Sequence, residues 1–133
     1  MKIMVHIEIP KGSTIKTEYY HHLGMPVVDR VLHGSNYYFF NYGFLPQSLS
    51  GDADPLDVVI FCDEPLPVSH LISCKVLGFL RTIDDAGMDE KLVVVPDDKV
   101  DPHSIGVEDI SDLHSWRLER LRDFFSPLQN IRK

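Results

Sequence analysis

The most informative stretch of the sequence is Gly51-Asp52-Ala53-Asp54-Pro55-Leu56-Asp57-Val58-Val59-Ile60, in which three carboxylates stand directly before an apolar run. The run predicts a buried strand. Asp52 and Asp54 are two residues apart and project to the same side of an extended chain, while Pro55 turns the backbone and lets Asp57 approach from the strand entry. Three like charges this close repel one another unless a cation lies among them. The stretch therefore favours a divalent cation site, although alone it is also compatible with a solvated acidic turn.

Two known kinds of acidic loop do not fit this stretch. An EF-hand counted from Asp52 would need Gly at its sixth position and Glu at its twelfth, where Asp57 and Asp63 stand. A phosphoaspartate nucleophile would need its apolar strand before the carboxylates, whereas residues 46–51 are polar and the strand follows them.

A second acidic cluster occupies residues 84–91, Asp-Asp-Ala-Gly-Met-Asp-Glu-Lys, between the apolar runs 76–80 and 92–95. Two short strands parted by a polar loop that contains Gly predict a hairpin. A solvated surface loop is the common fate of such a sequence. Lys91, however, would lie where the loop ends and the second strand begins, and from there it could reach an anion held by metal ions.

The rest of the chain predicts short strands first and a helix last. Strands are predicted at 3–9, 27–32, 57–62, 71–80 and 92–95, separated by turn residues. A helix is predicted before Pro127, with Trp116, Leu118, Leu121, Phe124 and Phe125 on one face. These patterns predict an α+β chain that is mainly β, in which a row of short strands forms a small barrel and the helix covers one side.

Length and composition indicate a single domain over residues 1–133. The chain is 44% hydrophobic and 25% charged, without repeats or a low-complexity linker. The N-terminal run is too short and too polar for a signal peptide, and no apolar segment approaches the ~20 residues of a membrane span. We therefore expect a cytoplasmic protein with no membrane partner, in which Cys62 and Cys74 are reduced core thiols.

Charge argues against a nucleic-acid partner. The net charge is -7, whereas a barrel that grips single strands needs a basic groove with exposed aromatic residues. The seven histidines show no ligand spacing, since His21 and His22 are adjacent and the others are scattered. They are interpreted as surface or core residues.

Taken together, these motifs resemble those of the soluble family I inorganic pyrophosphatases. The resemblance runs from about Ile7 to Phe125 and is specific because the motifs occur as an ordered set. They are Ile7-Glu8-Ile9-Pro10-Lys11-Gly12-Ser13 with Lys16 and Glu18, Val28-Asp29-Arg30-Val31, Tyr38 with Asn41-Tyr42-Gly43-Phe44, Asp52-Ala53-Asp54-Pro55-Leu56-Asp57-Val58, Asp84-Asp85-Ala86-Gly87-Met88-Asp89-Glu90-Lys91, Asp109-Ile110-Ser111-Asp112-Leu113 and Phe124-Phe125.

The resemblance implies a five-stranded OB-like barrel with flanking helices and hydrolysis of inorganic pyrophosphate to two orthophosphates. Seven acids would then meet three bases, so that the bare site would carry about -4 and repel its substrate. The acids are Glu8, Asp52, Asp54, Asp57, Asp84, Asp85 and Asp89, and the bases are Lys16, Arg30 and Lys91. Divalent ions must therefore be an integral part of the active site.

The ligand type predicts which ion binds. Carboxylate oxygens without a Cys or His set favour Mg²⁺, with Mn²⁺ as a substitute, and Ca²⁺ is expected to inhibit because its coordination is looser. By resemblance, Asp52, Asp57 and Asp89 hold a metal pair that Asp57 bridges. Asp84 and Glu8 would hold further ions that arrive with the substrate.

The remaining roles also come from the resemblance. Asp54 is the expected general base that takes the proton of the attacking water. Lys16, Arg30, Lys91 and the Tyr42 hydroxyl are expected to bind phosphate oxygens, Arg30 through its planar fork. Glu18, Tyr38 and Asp85 are expected to support them.

Some positions depart from the family pattern. Leu128 and Gln129 stand where the family has a Tyr-Lys pair that contacts substrate, and we expect their loss to lower affinity or rate. Asp85, Ala53 and Phe39 stand where Glu, Gly and Pro are usual. The terminal helix of many bacterial members is not in this sequence, so the hexamer of those members is not carried over. The resemblance still leaves a homo-oligomer open.

Two interpretations remain open at this level. One is a working Mg²⁺-dependent pyrophosphatase, and the other is a weakened or non-catalytic relative that binds metal or phosphate. Retention of the whole acidic cluster favours the enzyme, since an inactive site has no chemical reason to keep so many like charges together.

Overall fold

The computed structural model describes residues 1–46, 55–84 and 87–126. Seven strands and one α-helix follow one another along these ranges. They are β1 (Lys2–Ile9), β2 (Ile15–Tyr20), β3 (Met25–Val31), β4 (Asn41–Leu45), β5 (Leu56–Ile60), β6 (Leu71–Asp84), β7 (Gly87–Pro96) and α1 (Ser115–Phe124). Short 3₁₀ turns at Pro102–Ser104 and Ile110–Asp112 lie between β7 and α1.

Five of the strands close into a barrel in the order β1-β4-β5-β7-β6. Strands β5 and β7 run parallel, and the other neighbours are antiparallel. Numbered within the barrel alone, the order is 1-2-3-5-4, with the last strand returning to the first. This closed five-stranded ring confirms the mainly β barrel with a helix at its side.

The barrel closes where β1 meets β4. Ile7 lies opposite Gly43, and a Cβ on Gly43 would lie only 2.0 Å from the carbonyl oxygen of His6. The two backbones can approach this closely because residue 43 has no side chain. Gly43 therefore sets the position of its neighbour Tyr42 on β4.

Two hydrophobic clusters fill the interior. One lies inside the barrel and includes Val5, Ile7, Val58, Ile60 and Val94. The other lies between the barrel and the helix and consists of Ile9, Tyr38, Phe40, Val59, Phe61, Leu77, Leu80, Val93, Val95 and Leu121. The second cluster attaches α1 to the barrel, as the sequence predicts.

One face of α1 differs from the prediction. Leu121 is fully buried, but Trp116 is 52% exposed at the first turn of the helix. The predicted apolar face was therefore wrong at Trp116, because α1 approaches the barrel with its C-terminal half. That half carries Phe124 and Phe125 to the barrel.

The second acidic cluster is also built differently from the prediction. Strands β6 and β7 extend to Asp84 and Gly87, which pair with each other. The hairpin prediction is correct, but the polar loop assigned to residues 84–91 is mostly strand. Polar residues are tolerated here because this end of the hairpin is solvent-exposed on one face.

Strands β2 and β3 form a separate two-stranded hairpin beside the barrel. The sequence predicted β3 but missed β2, and it missed β4 in the barrel as well. Residues 15–20 combine charged and aromatic side chains without a buried face, which removes the alternation that predicts a strand.

Cys62 and Cys74 are both free thiols, as expected. Burial raises the pKa of the Cys74 thiol to about 12, so this thiol is protonated at neutral pH. Within the described ranges, no helix is long and apolar enough to cross a membrane.

Candidate active site

A cavity of about 520 Å³ lies between the barrel, the β2–β3 hairpin and the end of α1. It collects every predicted site residue whose side chain the structure describes. These residues are Glu8, Lys16, Glu18, Arg30, Tyr38, Tyr42, Asp57, Asp89 and Lys91. They come from six strands and one connecting segment, so only the tertiary fold brings them together.

Four predicted residues cannot be placed in this cavity. Asp52, Asp54 and Asp85 lie outside the described residues. Asp84 ends β6 opposite Gly87, and its side chain is not among those described. The acidic stretch 51–60 is therefore described from Pro55 onward, and Pro55 lines the cavity.

The parallel strands β5 and β7 place Asp57 and Lys91 opposite each other. Lys91 Nζ lies 3.8 Å from Asp57 Oδ2 and also donates a hydrogen bond to Asp89, which stands two residues earlier on the same face of β7. The Lys91 side chain is only 7% exposed. A nearly buried ammonium group is thus held by two carboxylates at one wall of the cavity.

The pKa of Asp57 is raised because the carboxyl group is buried. Two neighbours oppose this effect, namely the positive charge of Lys91 and a hydrogen bond from the Tyr42 hydroxyl. Burial raises the pKa of Tyr42 well above its ordinary value, so the phenol stays protonated and can donate. Asp57 is therefore a partly buried carboxylate whose polar partners include Lys91 and Tyr42.

Glu8, on β1, is the most perturbed carboxyl group in the cavity. Its Oε2 accepts a hydrogen bond of 2.8 Å from the backbone N–H of Tyr19, which fixes the side chain between β1 and the β2–β3 hairpin. The pKa of Glu8 is raised to about 7, mainly by burial. The hydrogen bond from Tyr19 lowers this pKa, whereas the negative charges of Asp57 and Glu18 contribute to the increase. A cation bound beside Glu8 would lower this raised pKa, because it would stabilise the ionised carboxylate.

The β2–β3 hairpin supplies the two other bases. Lys16 and Arg30 lie opposite each other in the hairpin. Lys16 Nζ lies 3.6 Å from carboxylate oxygens of both Glu18 and Asp29, and Arg30 Nε lies 3.8 Å from Asp29. Since both bases are partly exposed, they can exchange these loose ion pairs for an anion that enters the cavity.

Aromatic residues form one wall of the cavity, beside the acids. The rings of Tyr38 and Tyr42 lie 6.1 Å apart, and Phe124 lies 5.0 Å from Tyr38. Burial raises the pKa of Tyr38, which keeps its phenol neutral. The wall excludes water from one side of the cavity and strengthens the electrostatic interactions inside it.

The donor set in the cavity has the chemistry of a hard-cation site. Glu8, Asp57 and Asp89 offer carboxylate oxygens, which suit Mg²⁺, Mn²⁺ or Ca²⁺ better than zinc. Among the described side chains, no group of three acids, histidines or cysteines lies close enough to hold an ion alone. A complete site would need the further carboxylate ligands predicted at 52 and 84.

Sequence reasoning missed several residues that line the cavity. His21 lies there with its ring 5.3 Å from that of Phe44, although all histidines were interpreted as ordinary surface or core residues. Thr82 is buried opposite Asp89 on the β6–β7 hairpin. Phe125 lies with its ring centroid 4.7 Å from Lys91 Nζ. Recognising that β6 extends to residue 84 would have located Thr82, and Phe125 belongs to the Phe124-Phe125 motif, but His21 carries no local signal.

The described part of the cavity carries four acids and three bases. Such a site can bind a polyanion only if cations compensate its acids, and its bases can then bind the exposed oxygens of that anion. This arrangement suits phosphoryl transfer to water, which needs positioning and charge neutralisation rather than a covalent intermediate.

Comparison with known proteins gives a consistent result along the whole chain. A family model described as inorganic pyrophosphatase matches residues 5–133. The inorganic pyrophosphatase of Nanoarchaeum equitans is 43% identical over 131 residues, covering 98% of this chain and 81% of the relative. That of Helicobacter pylori strain ATCC 700392 / 26695 is 39% identical, covering 97% of this chain and 75% of the relative.

Solved structures show the same similarity in three dimensions. An inorganic pyrophosphatase from Coxiella burnetii superposes with a TM-score of 0.90 at 33% identity, covering 99% of this chain and 79% of the other. The inorganic pyrophosphatase from Helicobacter pylori superposes with a TM-score of 0.90 at 38% identity, covering 98% and 76% of the two chains.

Proposed function

The chain belongs to the inorganic pyrophosphatase family, and we infer that it hydrolyses inorganic pyrophosphate to two orthophosphates with the help of divalent cations. One observation supports this activity most strongly. Partly buried carboxylates and three bases, of which Lys91 is nearly buried, converge in one cavity, and their residue types suit a metal-bound phosphoanhydride.

We propose Mg²⁺ as the working cation, with Mn²⁺ as a substitute. Asp57, Asp89 and the predicted Asp52 would hold a pair of ions, with Asp57 bridging them. Glu8 and Asp84 would hold ions that arrive with pyrophosphate. The raised pKa of Glu8 supports its role, because a cation would stabilise a carboxylate that is otherwise costly to ionise. Bound in this way, the ions would lower the pKa of a water molecule and neutralise phosphate charge.

The chain's own groups would supply the remaining chemistry. We propose that Asp54 accepts the proton of the attacking water as general base. Lys16, Arg30 and Lys91 would bind phosphate oxygens and stabilise the negative charge of the leaving phosphate. The protonated Tyr42 phenol would donate a further hydrogen bond, with Glu18, Tyr38 and Asp85 in supporting roles.

The direct test is release of orthophosphate from pyrophosphate. We expect turnover with Mg²⁺, weaker turnover with Mn²⁺, none after EDTA, and inhibition when Ca²⁺ is added to the Mg²⁺ reaction. Readdition of Mg²⁺ after EDTA is the control for irreversible damage. Absence of turnover in protein that still binds Mg²⁺ and pyrophosphate would instead identify a non-catalytic relative, and activation by Ca²⁺ would contradict the proposed metal chemistry.

Two further expectations from the sequence stay predictions. We propose a homo-oligomer of unspecified size and a cytoplasmic location. Size-exclusion chromatography with light scattering tests the first, and fractionation of the source cells tests the second.

A further inference from the structure

The ammonium group of Lys91 is unusual in that it has both charged and aromatic partners inside the cavity. Asp89 and Asp57 attract it from the carboxylate side, and its side chain is nearly buried. If these two carboxylates were its only partners, they would compete with an incoming phosphate for the same positive charge. A lysine that binds phosphate therefore gains from a partner that attracts it without being an anion.

Phe125 is such a partner. The centroid of its ring lies 4.7 Å from Lys91 Nζ, inside the range of about 6 Å over which an aromatic face attracts a cation. This attraction is stronger when the cation is shielded from water, as Lys91 is. The ring also offers no hydrogen-bond acceptor, so it leaves the ammonium protons free for oxygens.

The position of the Phe125 ring does not depend on Lys91. Phe125 follows the last turn of α1, and its N–H donates a hydrogen bond of 3.2 Å to the carbonyl oxygen of Leu121. Leu121 is itself a fully buried residue. The ring packs against Phe124, Phe40 and Tyr42 with centroids 5.1, 5.7 and 5.8 Å away. The core therefore holds the ring in place, and the ring can hold the lysine.

From these contacts we propose that Phe125 is a positioning residue, which holds the Lys91 ammonium at the cavity wall where it can bind a phosphate oxygen of pyrophosphate. The inference rests on the proposed function, in which Lys91 binds substrate. The residue that ends α1 would thereby act on Lys91 through its aromatic ring, although α1 contributes no charged group to the cavity lining.

The test compares Phe125→Met with Phe125→Tyr. Methionine fills a similar volume without an aromatic face, whereas tyrosine keeps the face. We expect Phe125→Met to raise the KM for pyrophosphate by about three- to tenfold with a smaller change in kcat, and Phe125→Tyr to stay within about twofold of the unmodified chain. In a Lys91→Met background, Phe125→Met should have no further effect on KM.

A second measurement does not use hydrolysis. Lys91 is acetylated with an N-hydroxysuccinimide ester in the absence of metal and substrate, and its peptide is quantified by mass spectrometry. The labelling rate reports how firmly the amine is held in its contacts. We expect faster labelling in Phe125→Met than in the unmodified chain or Phe125→Tyr, with thermal unfolding confirming that each variant is folded.

Three results would overturn the inference. They are an unchanged labelling rate in Phe125→Met, an equal rise in KM with and without Lys91, and the same rise in KM for both Phe125 variants. If the unmodified chain does not hydrolyse pyrophosphate at all, the proposed function is contradicted, and the labelling rates still decide whether Phe125 holds Lys91.

Discussion

Asp57 and Lys91 lie directly opposite each other on the parallel strands β5 and β7, with Lys91 Nζ 3.8 Å from Asp57 Oδ2. Their register links the two acidic stretches of the sequence, since Asp57 closes the first and Lys91 closes the second. A lysine in this position balances part of the negative charge of Asp57 before any cation binds.

Replacement of Asp57 by Asn tests the proposed metal bridge. The amide keeps the shape of the side chain but loses the charge, so we expect hydrolysis to fall at least 100-fold, by analogy with other losses of charge-stabilising groups. The fold should persist, because removing one of several crowded carboxylates also removes repulsion. Phosphate release and thermal unfolding, measured on the same sample, separate the two effects.

Asp123→Asn is the matched control for this substitution. Asp123 lies exposed on α1 outside the cavity lining, so its loss should leave turnover unchanged. Substantial activity in folded Asp57→Asn would rule out Asp57 as a bridging ligand.

The raised pKa of Glu8 makes the stability of the metal-free protein depend on pH. Its pKa is about 7 in the folded protein and 4.5 in the reference state, so the folded protein binds the proton more tightly. Folding is therefore penalised progressively as the pH rises from about 4.5 to 7, and the penalty is complete above 7. Glu8→Gln should remove it and stabilise the EDTA-treated protein at pH 8 by on the order of 2 kcal/mol, with little gain at pH 4.

Urea unfolding at several pH values measures this effect, with Glu18→Gln as the control. Glu18 lines the same cavity, but its side chain is 51% exposed, so its replacement should change stability much less. An equal gain for Glu8→Gln at pH 4 and pH 8 would show that packing rather than charge is responsible.

A methyl group at Gly43 should prevent normal closure of the barrel. It would lie 2.0 Å from the backbone oxygen of His6, which cannot move without separating β1 from β4. We expect Gly43→Ala to lower the free energy of unfolding by roughly 3 kcal/mol or more.

Gly78→Ala provides the comparison, because its new Cβ would meet the flexible end of Ile110 at 3.1 Å. This side chain can adjust, so the cost should be smaller. Equal stability of the two variants in urea would contradict the argument from backbone contact.

Asn41 ties two segments, at Lys11 and at 64–66, to the start of β4. Its Oδ1 accepts hydrogen bonds of 2.8 Å from the N–H groups of Lys11 and Leu66, and its Nδ2 donates one of 3.0 Å to the carbonyl oxygen of Glu64. Asn41→Ala leaves these groups without their partner, so we expect a loss of about 2 to 4 kcal/mol in chemical unfolding. A cost below about 1 kcal/mol would mean that water replaces the amide fully.

Much of this protein follows from local sequence. Strands rich in β-branched residues, such as 57–60 and 92–95, are predictable because their apolar runs can be buried only in a sheet. The ordered acidic and basic motifs indicate the family and its chemistry, since residue types and spacing suffice for that. Strand β2 and the outer half of the β6–β7 hairpin are not predictable from the sequence pattern. Their residues are mostly polar and exposed, so no alternation of apolar residues marks them, and they are strands because their backbones pair with a neighbouring strand.

The site itself depends on contacts between residues far apart in the chain. Residue types identify Glu8, Asp57 and Lys91 as candidates, but closure of the barrel through Gly43 and the parallel pairing of β5 with β7 bring them together. Burial among like charges raises the pKa of Glu8, and the packing of α1 places Phe125 against Lys91. Desolvation and through-space charge depend on three-dimensional distance, which local spacing along the chain does not encode.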